Sequence, residues 1–448
     1  MATSPFSEAG KTEPMGLPTV RQCPFDPPVE LGKLRNSQPL SRFRFPDGHV
    51  GWLVTSHELG RAVLGDSRFS YFPAGPASVD PDLHAEQLYD SIQRDASFPD
   101  AVRDSVNRYW LDGRISDAFR DPEVVQALHE NPLSDPPFAT LMDAPGHTRL
   151  RRLLAGQFSV RRVGDYQSRI EQIVEDRLDA MEELGAPVDL VEIFAQPIPS
   201  LVTCALYGVP ESERETFERL GAVRHIPGAT VTDVLEANEA FRAFTSELVQ
   251  RKRAHPGDDL LSTLVRSGEL TDDQLVSVAI LLVRAGNGTT ALALTFAVAT
   301  LLQDRDRWQS LRSESSPISR TVEELLRYTT IAPASDVRTA LEDVELGGVV
   351  IKAFESVVVS YSAANRDPQM FAEPDRVDFA RQPAQNLTFG YGVHQCLGQH
   401  LARLELQVAL RGLARRYPTL ELAVPATDIP WHRGDRQTYG PQRLLVTW

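Results

Sequence analysis

The chain has 448 residues and carries 61 acidic against 46 basic side chains, a net charge of −15 that argues against general nucleic-acid binding and for solubility. A hydrophobic fraction of 42% is enough for a sizeable core, and three cysteines with no leading signal segment speak against a disulfide framework and for a reducing, cytoplasmic setting. Length alone suggests about three domains, but the motifs that carry chemistry are scattered from His147 to Cys396, which one integrated fold explains better.

Residues 1–20 read as a loose tail and 21–448 as a single domain. Phe43 to Thr55 alternates around Pro46-Asp47-Gly48, a hairpin pattern, and His57 to Leu64 has helical spacing. Two imperfect amphipathic patterns follow: Leu83, Leu88 and Ile92, then Val102, Val106, Tyr109 and Trp110. His147 and Arg151 lie four apart, so a helix directs both to one side. From Val163 to Asp258 the chain reads mostly as helices, with Pro227 and Gly228 marking a loop inside Val223–Thr232.

Thr271 and Gln274 have capping-box spacing, and Asp272 to Leu302 then turns apolar, which predicts a long buried helix spanning roughly 45 Å. Arg284, Gly286, Asn287 and Gly288 interrupt it before about 18 apolar residues accumulate, so a membrane span is rejected. Each interior glycine costs roughly 1 kcal/mol relative to alanine, and two so close invite distortion. Glu324 and Arg327 sit three apart on a predicted helix, close enough to pair, and Arg338 follows in a strand-like run.

Near the C-terminus, Cys396 stands in a glycine-framed loop running from Phe389 to Gly398. A thiolate that binds iron must be deprotonated and shielded. Gly390, Gly392 and Gly398 are expected to take positive backbone angles there and to let N–H groups approach the sulfur. Leu397, Leu401, Leu404 and Val408 then repeat with helical spacing, which places Cys396 at a helix N-terminus where a negative sulfur is favoured.

This segment resembles the signature of the cytochromes P-450, the haem-thiolate monooxygenases: Phe389, Gly390, Gly392, His394, Cys396 and Gly398 occupy its positions, and Ala402 and Glu405 match the helix after it. The resemblance implies a mainly α fold with a smaller β-rich region, haem b lying between a long central helix and the cysteine loop. It implies that Cys396 ligates the iron, that His147, Arg151, Arg338 and His394 meet the haem propionates, and that Phe389, Gly390, Gly398, Ala285 and Gly286 line the haem. Thr289 falls at the oxygen-handling threonine, over a locally widened helix. Glu324 and Arg327 correspond to a buried charge network bracing the cysteine loop, with Arg376 as its candidate third member.

Further expectations come with the same resemblance. An insertion within 71–140 lies over the substrate pocket, which Ile331, Ala332, Pro333 and Thr438 help to line. The chain is similar to the soluble bacterial class, and no dinucleotide fingerprint is present, so a separate ferredoxin and an NAD(P)H-dependent ferredoxin reductase are implied as partners. Arg149, Arg152 and Arg403 form a candidate patch for that acidic donor. The expected activity is oxidation of a small organic substrate in secondary metabolism, without nucleic acid or membrane. One departure stands out: the family usually has an acid just before the threonine, and Gly288 is there instead, beside Asn287. Neither delivers protons near neutral pH, which keeps open peroxide-using, nitric-oxide-using or oxidative-coupling chemistry, and also a non-catalytic haem protein that binds a ligand or partner.

Overall fold

The computed structural model describes residues 15–45, 48–71, 99–111, 121, 124, 143–222, 231–313, 317–382, 384–432 and 438–448. At its centre runs the helix Asp272–Leu301, the long helix below, with the capping box in place: Thr271 Oγ1 accepts from the Gln274 N–H at 3.2 Å and Gln274 Oε1 from the Thr271 N–H at 3.0 Å. From Thr290 to Leu301 every residue is buried, which is why this half is apolar all round. By length and composition the helix is able to cross a membrane. It is instead a core helix, packed against helices Pro197–Tyr207, Val231–Ala254, Ile318–Thr329 and Gln399–Arg416.

The flanking helices follow their apolar spacing. Gln167–Leu184 buries Ile170, Ile173, Val174, Leu178 and Met181 on one face, and Asp100–Leu111 buries Val102 and Val106, as the second amphipathic pattern predicts. The Leu83–Ile92 pattern, most of the 71–140 insertion and the Pro227–Gly228 loop lie outside the described residues.

A six-stranded sheet runs in the order Met15–Gly16, Leu40–Arg44, Val50–Val54, Ser356–Val359, Arg338–Ala340, Phe69–Ser70. Its hairpin, Leu40–Arg44 against Val50–Val54, is the one expected from the alternation around Gly48. Met15 and Gly16 fall in the segment read as a loose tail, yet they pair in parallel with Phe43 and Arg44. At the other edge Ser70 pairs with Thr339, a register that brings Tyr71 beside Arg338. The expectation of a mainly helical fold with a smaller β-rich region holds.

Candidate active site

The cysteine loop is built from main-chain hydrogen bonds. The Gly390 N–H donates to Leu387 O at 2.9 Å, and the Cys396 N–H donates to Phe389 O at 2.8 Å. Gly390 (φ 69°) and Gly392 (φ 76°) take the left-handed backbone that the sequence predicts, and a Cβ on Gly392 would come within 2.4 Å of Leu64 O. Gly398 differs from expectation: its φ is −80° and a Cβ there meets no protein atom within 4 Å. Its contribution is its N–H, which with that of Gln399 at the start of helix Gln399–Arg416 favours the negative form of the Cys396 sulfur.

Cys396 is solvent-accessible although protein surrounds it. Burial pushes its thiol up, against the pull of those two N–H groups and of the Arg151 and Arg403 guanidiniums. The protein alone therefore favours the protonated thiol, and a bound cation would be needed to hold the thiolate. Cys204 is a different case: completely buried, with its thiol pushed up to about 12 by desolvation, it is an inert core residue.

Behind the loop, Arg327 donates to both carboxylate oxygens of Glu324, from Nε and Nη2, at 2.8 Å each, with both side chains almost fully buried. The third member is Arg381, whose Nε reaches the same carboxylate at 3.2 and 3.1 Å. Arg376 was expected in that role, but its side chain is exposed and paired with Glu373, and the network uses its carbonyl, which accepts from Arg327 and Arg381. The link to the cysteine loop is Asn365. Its carbonyl oxygen accepts from the Leu387 N–H at 2.7 Å, its NH2 donates to Thr330 and Thr388, and its own main-chain carbonyl accepts from Arg327.

His147, Arg151, Arg338 and His394 come together as one cationic cluster beside Cys396. The His147 and His394 rings are 4.0 Å apart, and Tyr71 lies between His394, at 4.3 Å, and the Arg338 guanidinium, 3.6 Å above its ring. Burial and the surrounding cations hold the His147 pKa down to about 4. Asp143 faces them, 3.8 Å from His394 Nε2, and accepts from the Ser70 hydroxyl. Arg338 is 3% exposed and its Nε has no hydrogen-bond partner. One carboxylate against two guanidiniums and two imidazoles leaves the cluster short of negative charge, a site suited to a dianionic ligand.

On the long helix the accessible stretch includes Arg284 to Thr289, where Ala285 is exposed while the turns that follow are buried. The Thr289 hydroxyl donates to Ala285 O at 2.6 Å. The expected local widening is not present: the helix is continuous through Gly286 and Gly288. Asn287 does not share the Ala285–Thr289 face; its amide is 2.8 Å from the Thr203 hydroxyl on helix Pro197–Tyr207.

A family model described as Cytochrome P450 matches residues 222–422. The chain is 40% identical to cytochrome P450 105C1 from a Streptomyces species, over 97% of this chain and 99% of that one. It is 37% identical to pentalenic acid synthase from Streptomyces avermitilis, over 97% and 98%. The crystal structure of cytochrome P450 MoxA from Nonomuraea recticatena, a CYP105 protein, superposes with a TM-score of 0.79 at 37% identity, covering 97% and 98% of the two chains. The chain belongs to the cytochrome P450 family. Within it, the chain is CYP105-like and bacterial, a P450 monooxygenase whose family implies a haem-thiolate cofactor.

The residues on hand fit that group. An accessible thiol stands at a helix start whose N–H groups favour its negative form, and a cationic cluster with an orphaned buried guanidinium nitrogen matches two propionates. Among the described residues no three His, Cys, Asp or Glu side chains gather as a metal site. Phe389 lies under the Arg403 guanidinium, 4.5 Å from its ring centre, and Arg403 pairs with Glu323. Arg149 and Arg152, the other members of the expected donor patch, share Glu269 and are well exposed.

The Tyr439 N–H donates to Ile331 O at 2.7 Å, which sets the turn carrying Thr438 against the Ile331-Ala332-Pro333 segment. Sequence reasoning missed Tyr71, Asp143, Asn365, Arg381 and Thr203, because each acts through a partner distant in the chain. Asp143 had a local signal, standing just before the helix that carries His147.

Proposed function

We propose that this cytochrome P450 oxidises a small, largely apolar organic molecule with dioxygen, taking electrons from a separate ferredoxin and its NAD(P)H-dependent reductase, in cytoplasmic secondary metabolism. The observation that carries the reading is the accessible Cys396 in its glycine-built loop at the start of helix Gln399–Arg416, where the Gly398 and Gln399 N–H groups favour a negative sulfur. Bound haem would supply oxygen activation and the oxidising step. The chain's own residues do the rest. Cys396 holds the iron; His147, Arg151, Arg338 and His394 anchor the carboxylates; Thr289 presents a hydroxyl beside the Ala285 carbonyl; Ile331, Ala332, Pro333 and Thr438 exclude water and orient the substrate. Secondary metabolism is favoured by relatives such as pentalenic acid synthase.

The test is the carbon monoxide difference spectrum of the reduced protein beside Cys396→Ala. A thiolate-type Soret band lost in the variant supports the reading, and an imidazole-type band or no haem rejects it. Gly288 favours a second reading, in which protons come from water or from the substrate, or the chemistry departs from hydroxylation. Turnover driven by peroxide or nitric oxide, and absent with ferredoxin, would select it.

A further inference from the structure

Asn287 is flanked by two glycines in the middle of the long helix, at the turn that carries Thr289. Residues two apart point about 200° apart around a helix, so Asn287 faces away from Thr289 and takes no direct part in its chemistry. What it does is reach a neighbouring helix. Its amide is 2.8 Å from Thr203 Oγ1, and Thr203 is buried on Pro197–Tyr207. The same hydroxyl is 2.9 Å from Pro199 O.

A hydroxyl carries one proton, so Thr203 donates either to the Asn287 carbonyl oxygen or to Pro199 O; in the second case the Asn287 NH2 turns to donate to Thr203. In both arrangements the two helices stay bonded at this point. The bond matters because of where it falls. Gly286 and Gly288 give the turn less helix propensity than any other part of the long helix, and such turns are where helices bend or admit an extra residue. Either distortion would rotate Thr289 and carry its hydroxyl off the Ala285 carbonyl, now 2.6 Å away. Packing restrains the turn, and a hydrogen bond from the opposite face adds a directional restraint on its rotation.

We propose that Asn287, bonded to Thr203, is a positioning residue that latches the Gly286–Gly288 turn in unbroken α-helix and so fixes the Thr289 hydroxyl. The latch rests on the reading of Thr289 as the oxygen-handling residue. It also explains why the turn is not widened despite two glycines: the strength that the sequence omits locally is supplied from another helix.

The experiment uses the full haem-loaded chain with Asn287→Leu, Thr203→Val, the double variant, and Thr203→Ser, which keeps the hydroxyl. The first readout is hydrogen–deuterium exchange in the peptide spanning Ala285 to Thr290. The second is hydrogen peroxide released per electron from a surrogate ferredoxin and reductase, which needs no substrate. Loss of the bond should speed exchange about five- to tenfold, the factor that one hydrogen bond gives in a local opening equilibrium. Peroxide release should rise several-fold in both single variants, the double variant should be no worse than either, and Thr203→Ser should match the parent.

Unchanged exchange in the single variants overturns the latch. So does faster exchange with unchanged peroxide release and an intact carbon monoxide spectrum, which reduces the contact to a structural one. If Asn287→Leu fails to load haem, Thr203→Val against Thr203→Ser decides alone. A parent protein that passes no electrons to oxygen would instead reject the monooxygenase reading, and the exchange result would still judge the bond.

Discussion

Arg381 brings its Nε to both oxygens of the Glu324 carboxylate, at 3.2 and 3.1 Å, from 57 residues further along the chain. That contact fastens the irregular segment before the cysteine loop to the Glu-x-x-Arg helix. Removing the carboxylate leaves two guanidiniums unpaired, one of them fully buried, so Glu324→Gln should cost about 3–5 kcal/mol and most of the bound haem. Arg376→Ala should stay within about 0.5 kcal/mol of the parent, because its side chain is 64% exposed and the network takes only its carbonyl. Denaturant midpoints and haem-to-protein ratios of both variants check this, and a large loss in Arg376→Ala would restore it as the third member.

Two glycines of the cysteine motif should respond oppositely. Gly392→Ala forces a Cβ to within 2.4 Å of Leu64 O at a backbone angle that side chains rarely adopt, so a loss of about 2 kcal/mol or more is expected. Gly398→Ala has ordinary backbone angles and meets no protein atom. Thermal unfolding of the haem-free chains should show a clear drop for the first and a much smaller one for the second; equal drops would mean that Gly398 is needed by the polypeptide itself.

Glu405 is buried, its Oε2 has no partner, and desolvation pushes its carboxyl up to about 8. The folded state holds a proton that the unfolded state releases near the usual 4.5, so stability is full below about 4.5 and is lost as pH rises toward 8. The loss is of the order of a few kcal/mol. Glu405→Gln keeps the shape without the charge and should flatten the profile of Tm against pH over that window. A profile as steep in the variant as in the parent would assign the pH dependence elsewhere.

The sequence showed most clearly what depends on neighbours in the chain. The capping box at Thr271 and Gln274, the Glu324–Arg327 pair, the His147–Arg151 face and the cysteine motif are short-range patterns with one physical reading each. Arg381 was missed in favour of Arg376 because both lie in the same irregular segment, where no periodicity tells which arginine turns inward. Tyr71 and Asp143 were invisible for a related reason: strand register brings Tyr71 beside Arg338, and register is a property of two strands far apart in sequence. Two glycines predicted a widened turn, but the helix is continuous there, and Asn287 between them is bonded to Thr203, 84 residues earlier, a contact that no local pattern announces.

The same principle of distant support applies to the pocket wall. The Arg21 guanidinium lies 3.6 Å above the Tyr439 ring, which stacks on Trp431 at 5.5 Å and meets Phe296 of the long helix at 6.1 Å. Burial lowers the pKa of Arg21 to about 10, so it remains charged near neutrality and the contact is a partly desolvated cation–π pair, a kind worth about 2 kcal/mol. Because the Tyr439 N–H also holds Ile331 O at 2.7 Å, loosening that ring loosens the wall proposed for substrate. Arg21→Ala should therefore lower Tm by a few degrees and weaken 4-phenylimidazole binding more than imidazole binding, since both would meet the iron and only the larger would meet the wall. Arg21→Lys, which keeps the cation, should recover part of both effects. Spectral titration of the two azoles against the three proteins decides the matter: equal weakening of both, or none, would confine Arg21 to fold stability.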